Sequence, residues 1–277
     1  MIKSYSKINF SLRVIGKLKD GMHNIQSNFF LINYYDEIRI KRVNDKKDKI
    51  IFTGPFKKYV KSSDNSVHKT LKILKAKKIV RNNYRIIINK KIPVFAGLGG
   101  GTSNAAYIVQ YFLKNKINYN LMKILKKKIG SDIGLFFQKA AYLKSLNKIV
   151  RYKKKFRFYI LLVYPNIKSS TKIVYSKVKK YSFPSKTNFT KILQKQKFIN
   201  LIKDERNDLQ PIVEKKYLTI KNLILTIKSQ KGCYFSRMTG SGSACFGVFN
   251  SSNNASKALR LMKKKFPKYW SIITKTI

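Results

Sequence analysis

The segment Pro93-Val94-Phe95-Ala96-Gly97-Leu98-Gly99-Gly100-Gly101-Thr102-Ser103-Asn104-Ala105-Ala106 holds four of the chain's thirteen glycines within five residues, directly before an amphipathic stretch. It predicts a tight turn running into a helix. Glycine lets the backbone come close to an anion, Thr102 and Ser103 add hydroxyls, and a helix starting near Ser103 turns unpaired N–H groups toward the same point. The expected ligand is a nucleotide or another phosphorylated compound. A Walker A loop is excluded, because no lysine lies between Lys91 and Lys114. A dinucleotide fingerprint fails as well: the third glycine is replaced by Thr102 or Asn104, and no acid follows until Asp132. A merely flexible loop does not explain the apolar flanks and the helix behind it.

With 277 residues, 44% of them hydrophobic, the chain can bury a sizeable core. The longest apolar run, Phe158 to Tyr164, has the length of a strand and not of a membrane span. The first residues lack the apolar stretch of a signal peptide, so cytoplasm is the expected location. Two cysteines, Cys233 and Cys245, suggest packing and neither a disulfide framework nor a zinc site. The net charge of +50 could indicate nucleic acid, yet the lysines run from Lys3 to Lys275 with no basic tail. Abundant Ile, Asn, Tyr and Phe share A/T-rich codons with Lys, and mutational bias accounts for the charge without a specific nucleic-acid partner.

Only eleven acids are present. Most fall in polar or turn-like stretches, but Asp132, in Ile129-Gly130-Ser131-Asp132-Ile133-Gly134-Leu135-Phe136-Phe137, is flanked by apolar residues. A water-poor setting and a cationic or hydrogen-bonding partner are expected there. Helix N-capping is the competing reading of Ser131-Asp132. Periodicity predicts strands at 6–14, 28–40, 49–53, 84–89, 158–164, 233–238 and 244–249. Helices are predicted at 65–78, after the glycine loop, near 171–180, at 208–230 and at 254–265. Lys179 to Lys195 is the stretch with least predicted order.

Three segments together resemble the GHMP kinases, the superfamily of galactokinase, homoserine kinase and mevalonate kinase. They are the glycine loop from Pro93, the pair Ser6-Lys7-Ile8-Asn9-Phe10-Ser11-Leu12 and Asp20-Gly21-Met22-His23-Asn24-Ile25-Gln26, and Arg237-Met238-Thr239-Gly240-Ser241-Gly242-Ser243. The resemblance implies an α+β, two-domain GHMP kinase fold, with an N-terminal nucleotide-binding domain at 1–150, a C-terminal domain at 151–277 and the active site in the cleft between domains. It implies a kinase using ATP and Mg²⁺ that phosphorylates the 2-hydroxyl of a small molecule, a cytidyl diphosphate of methylerythritol, in the non-mevalonate isoprenoid pathway. Another GHMP small-molecule kinase, a basic nucleic-acid-binding α+β protein and a decayed kinase are the alternatives.

By the same resemblance, Asp132 is the base for the attacking hydroxyl and Lys7 its cationic partner. Pro93, Gly97, Leu98, Gly99, Gly100, Gly101, Thr102 and Ser103 bind the nucleotide, with Thr102 or Ser103 as a phosphate contact and Ser103 the expected metal contact. Asn9, His23, Tyr175, Gly240 and Ser241 bind the alcohol substrate, His23 and Tyr175 at the cytosine. Met22 stands where the family has a stacking Tyr, and Gly134 where it has Pro. Asp208 is expected to cap a helix.

Overall fold

Alternation of Ile, Val, Phe and Tyr with polar residues builds the strands of this chain, and asparagine or serine caps start several of its helices. A computed structural model describes residues 1–277 except Asp20 and Asn115. In chain order the strands are β1 (Ile2–Asn9), β2 (Arg13–Lys17), β3 (His23–Val43), β4 (Lys49–Thr53), β5 (Asn83–Asn89), β6 (Ala140–Ser145), β7 (Lys148–Arg151), β8 (Tyr159–Tyr164), β9 (Cys233–Met238), β10 (Cys245–Phe249) and β11 (Trp270–Lys275). The helices are α1 (Ser66–Ala76), α2 (Gly100–Leu113), α3 (Tyr119–Lys128), α4 (Thr171–Ser176), α5 (Lys195–Ile202), α6 (Gln210–Lys216), α7 (Leu218–Lys228) and α8 (Ser252–Lys265).

Packing divides the chain into two compact units that are discontinuous in sequence. The first holds Met1–Lys7, Tyr34–Val94 and Gly99–Lys139; the second holds Ile8–Asn33, Phe95–Leu98 and Ala140–Ile277. Residues 8–33, 95–98 and 140–150 therefore pack with the C-terminal residues, whereas the expected domain division runs at residue 150.

In the first unit β5 lies parallel to β4 and antiparallel to the C-terminal part of β3, with Glu37 opposite Asn89 and Val43 opposite Asn83. Helix α1 is capped by Asn65, whose Oδ1 accepts from the N–H groups of Val67 and His68. Val67, Leu71 and Leu74 of this helix are buried, while Lys69 and Lys72 stay exposed, as its apolar spacing requires. Helix α2 lies against α1 and against a short 3₁₀ segment, Ser131–Phe137.

The second unit contains a four-stranded antiparallel sheet in the order β11-β8-β10-β9. Helix α7 packs on β9 and β10, and α8 on β8 and β11. A second set of strands joins the N-terminal part of β3 to β2 and β6, and β6 to β7, all antiparallel. Its core is dominated by phenylalanine: Phe10, Phe30, Phe158, Phe198 and Phe246 are fully buried, with Phe10 4.4 Å from Phe30 and 5.2 Å from Phe158 between ring centroids. Such rings are large apolar groups that also favour edge-to-face contact. Cys245 is buried and Cys233 half-buried, both free, as packing residues. Burial pushes the Cys233 thiol up to about 12.

Three expectations need correction. The strand expected at 6–14 is two strands separated by residues 10–12, because Phe10 and Leu12 turn their N–H groups to Asn28 and Arg206 carbonyls. The helix expected at 208–230 breaks at Tyr217 (φ −134°, ψ 88°) into α6 and α7. Asp208 caps neither helix: its carboxylate accepts from Val14 N (2.8 Å) and Ser182 Oγ (2.6 Å), and α6 starts without a side-chain cap. Between Lys179 and Lys195 the one regular turn before α5 is the 3₁₀ segment Phe189–Lys191, pinned by the buried Phe189 ring. Among the described residues no helix is long and apolar enough to cross a membrane.

Candidate active site

The glycine loop ends where Gly99 takes a left-handed conformation (φ 70°, ψ 21°) and α2 begins at Gly100. Ser103 N donates to Gly99 O at 2.8 Å, the first bond of the helix. No side chain caps this end and no acid occupies its first turn, so the N–H groups of Gly100, Gly101 and Thr102 lie outside the helical ladder at the positive end of the helix. Gly99 has no room for a side chain: a Cβ there would sit 2.7 Å from the Phe136 ring and 3.4 Å from the Lys7 side chain. The same crowding brings the loop, the 3₁₀ segment and Lys7 together.

Lys7 Nζ stands 3.4 Å from Asp132 Oδ2. Lys7 is nearly enclosed, with 5% of its side chain exposed, whereas Asp132 keeps 34%. The water-poor setting expected for Asp132 belongs to its partner instead, and the carboxylate is open to an incoming group. Capping is not its role, since Gly130 begins the 3₁₀ segment without a side-chain bond. A buried ammonium beside a reachable carboxylate offers positive charge to a reacting oxygen.

Thr102 and Ser103 differ. Ser103 is fully buried, its Oγ donating to Tyr5 O (2.6 Å) and meeting Ser4 Oγ (2.8 Å). Asn104 accepts from Ser4 Oγ at 2.9 Å. Both residues fasten α2 to β1, and the Ser103 hydroxyl expected at a metal or phosphate is committed to protein. Thr102, half-buried, makes no side-chain hydrogen bond among the described residues and is the loop hydroxyl left for a ligand. Among these residues no cluster of three His, Cys, Asp or Glu could hold a metal by itself.

One pair escaped the sequence reading. Asp36, fully buried, pairs with the buried Lys90 and accepts from Lys91 N (2.7 Å) and Ile92 N (2.9 Å). Lys90 Nζ comes within 3.3 Å of where a Gly100 Cβ would stand, so this pair underlies the start of α2. The only signal was a β3–β5 register that sequence does not state.

Apart from Pro93, which belongs to the first unit, the remaining expected residues lie in the second. Gly97 (φ 75°) is pressed onto the second glycine motif: a Cβ would meet Thr239 O at 2.3 Å and Gly242 N at 3.1 Å. Ala244 N donates to Ala96 O, which ties the two motifs by a main-chain bond. Pro93 and Leu98 are both buried. Gly240 O accepts from Asn207 Nδ2 (2.8 Å), and Ser241 accepts from Ser169 Oγ at its carbonyl (2.6 Å) while its hydroxyl meets Thr171 Oγ1 (2.8 Å). Asn9 Nδ2 donates to Ser27 Oγ (2.7 Å), and Asn9 N to Thr239 Oγ1 (3.0 Å). Gly240, Ser241 and Asn9 are all buried, and these bonds shape the turn between β9 and β10.

His23 and Tyr175 meet. Their ring centroids are 5.0 Å apart at an interplanar angle of 38°. His23 opens β3 opposite Lys17, and Tyr175 is held by α4, capped by Ser170. Partial burial, and then the Lys17 charge, hold the His23 pKa below the ordinary histidine value, which favours the neutral imidazole with one donor and one acceptor. Half-buried Met22 precedes it, and Asp20 of the same motif lies outside the described residues.

Family models for "GHMP kinases N terminal domain" and "GHMP kinases C terminal" match residues 65–140 and 190–268. The chain belongs to the GHMP kinase family. It is 39% identical to a 4-diphosphocytidyl-2-C-methyl-D-erythritol kinase of Pelagibacter ubique, over all of this chain and 98% of that protein. It is 33% identical to the enzyme of that name in Clostridium botulinum, over 99% of each chain. The fold matches a crystal structure of 4-(cytidine 5'-diphospho)-2C-methyl-D-erythritol kinase with a TM-score of 0.72 at 21% identity, over 100% of this chain and 99% of that one. A homoserine kinase of Cytophaga hutchinsonii gives 0.67 at 16%, over 99% and 94%.

Proposed function

We propose that this protein is an ATP- and Mg²⁺-dependent kinase that phosphorylates the 2-hydroxyl of 4-diphosphocytidyl-2-C-methyl-D-erythritol, a step of the non-mevalonate isoprenoid pathway. The observation that carries the reading is the reachable Asp132 carboxylate held by buried Lys7, with Lys7 against Gly99 at the uncapped start of α2. Full-length similarity to relatives of that name supports the substrate. The domain division at residue 150 belongs to the same proposal, with the two family models matching on either side of it. An ATP-consuming step of this kind belongs in the cytoplasm, where ATP is supplied.

Asp132 accepts the proton of the 2-hydroxyl as its oxygen bonds to the γ-phosphorus, and the bond to the β-phosphate oxygen breaks to release ADP. Lys7 stands beside Asp132 and balances charge at the reacting oxygen. The N–H groups of Gly100, Gly101 and Thr102 hold phosphate oxygens, and the Thr102 hydroxyl with those phosphates would hold Mg²⁺, which spreads the charge of the transferring group. His23 and Tyr175 hold the cytosine. ADP release is the test, measured with ATP, Mg²⁺ and the cytidyl substrate, with homoserine and mevalonate as control acceptors and Asp132→Asn alongside. The reading expects turnover only with the cytidyl substrate and a loss of about 10²- to 10⁴-fold in the variant. Turnover with a control acceptor instead, or an active variant, would refute it.

A further inference from the structure

Tyr181 lies in a stretch without helix or strand, yet its ring stands 6.4 Å from His23 between centroids. It is 48% exposed, so part of a large aromatic side chain is left uncovered. Its backbone is nevertheless fastened. Ser182 N donates to Val14 O (2.8 Å), Ser182 Oγ donates to Asp208 Oδ2 (2.6 Å) and accepts from Arg206 Nη2 (2.8 Å). Asp208 in turn binds Val14 N and ion-pairs with Arg206 Nε at 2.8 Å. Ser185, three residues further, donates from its N–H to Gln26 Oε1 (2.8 Å) and from its hydroxyl to Glu205 Oε1 (3.0 Å).

Bolting a loop on one side of an exposed ring reduces the ordering that a ligand must otherwise impose. An exposed tyrosine without a task has no need of two buried or half-buried carboxylates, in a chain with eleven acids, to hold the residues after it. We propose that Tyr181 is a further wall of the pyrimidine site, receiving the heterocycle of the nucleotide-linked substrate together with His23 and Tyr175. This rests on the function proposed above and adds a specificity-determining residue to it.

The test uses the full-length protein with Tyr181→Ala and Tyr181→Phe. Cytidine diphosphate is titrated calorimetrically with the ATP site filled by ADP, and KM is measured for the cytidyl substrate and for ATP. Loss of one base–aromatic contact is expected to weaken cytidine diphosphate binding on the order of tenfold in Tyr181→Ala. Tyr181→Phe should bind as the parent does, and the change should appear in KM for the cytidyl substrate and not in KM for ATP. Unchanged binding in Tyr181→Ala overturns the inference and leaves the proposed function standing, as does an equal loss in Tyr181→Phe. A parent protein that turns over another acceptor and ignores cytidine diphosphate sinks both.

Discussion

Gly101 separates what the protein needs from what its ligand needs. It lies in the first turn of α2, exposed, and its φ is not left-handed; an added Cβ would come no closer than 3.4 Å to Ser66 Oγ, an ordinary contact. Ser66 Oγ donates to Gly101 O at 2.7 Å, a bond that a methyl group at Cα does not disturb. Folding therefore gains from alanine there, by up to about 0.5–1 kcal/mol, because glycine loses more backbone entropy in a helix. For a chain of this size that is roughly 1–2 °C in melting temperature. Binding should move the other way. A phosphate held by the free N–H groups approaches within hydrogen-bond distance of the backbone, and a methyl group beside it displaces the anion. Losing one hydrogen bond to a charged group costs about 1.5–3 kcal/mol, or roughly 10- to 150-fold in ATP affinity. Gly101→Ala should thus melt higher without nucleotide and bind MgATP more weakly, measured by thermal denaturation and calorimetry on the same preparations. A variant that binds MgATP like the parent would refute the assignment of this loop as the phosphate cradle.

Gly97→Ala should behave oppositely, losing more than about 2 kcal/mol of stability in a urea titration, because alanine must adopt a left-handed φ and its Cβ falls on Thr239 O. Asp36→Ala leaves Lys90 buried without its counter-charge and should cost about 3–5 kcal/mol. The double change Asp36→Leu with Lys90→Met should recover only part, since Lys91 N and Ile92 N still lose their acceptor. The two histidines predict an acid-side loss. Burial lowers the pKa of both His23 and His68, so below the ordinary value of 6.5 the unfolded chain takes up protons first, and stability falls as pH drops through the folded-state values. Urea midpoints at pH 7.5, 6.5 and 5.5 check this, and the joint variant His23→Gln with His68→Gln should flatten the slope.

What could be read from sequence was local. The Gly97–Gly101 run and the apolar spacing from Ala105 onward announce a turn and α2 because both obey short-range rules. Lys7 and Asp132 lie far apart in the chain, and only a resemblance joined them. The direction of the Ser103 hydroxyl, toward Ser4 and Tyr5, depends on the rotation of α2 against β1, which composition does not encode. Asp36 went unnoticed because Tyr35-Asp36-Glu37 and Lys90-Lys91 look like solvated polar pairs until β3 is laid beside β5. Strand β11 carries only six residues with no strong alternation, and β8 is what makes it a strand.

Among the described residues seven acids are tied up in ion pairs: Asp36, Glu37, Asp48, Asp64, Asp132, Glu205 and Asp208. Negative charge is thus spent locally, and most of the 61 basic side chains present a positive potential to solvent. Lysines spread over the surface act on whatever diffuses nearby, whatever their origin. ATP and a diphosphate-linked alcohol are both polyanions, so the molecule draws its reactants in by long-range attraction, and their capture should slow as added salt shortens the Debye length.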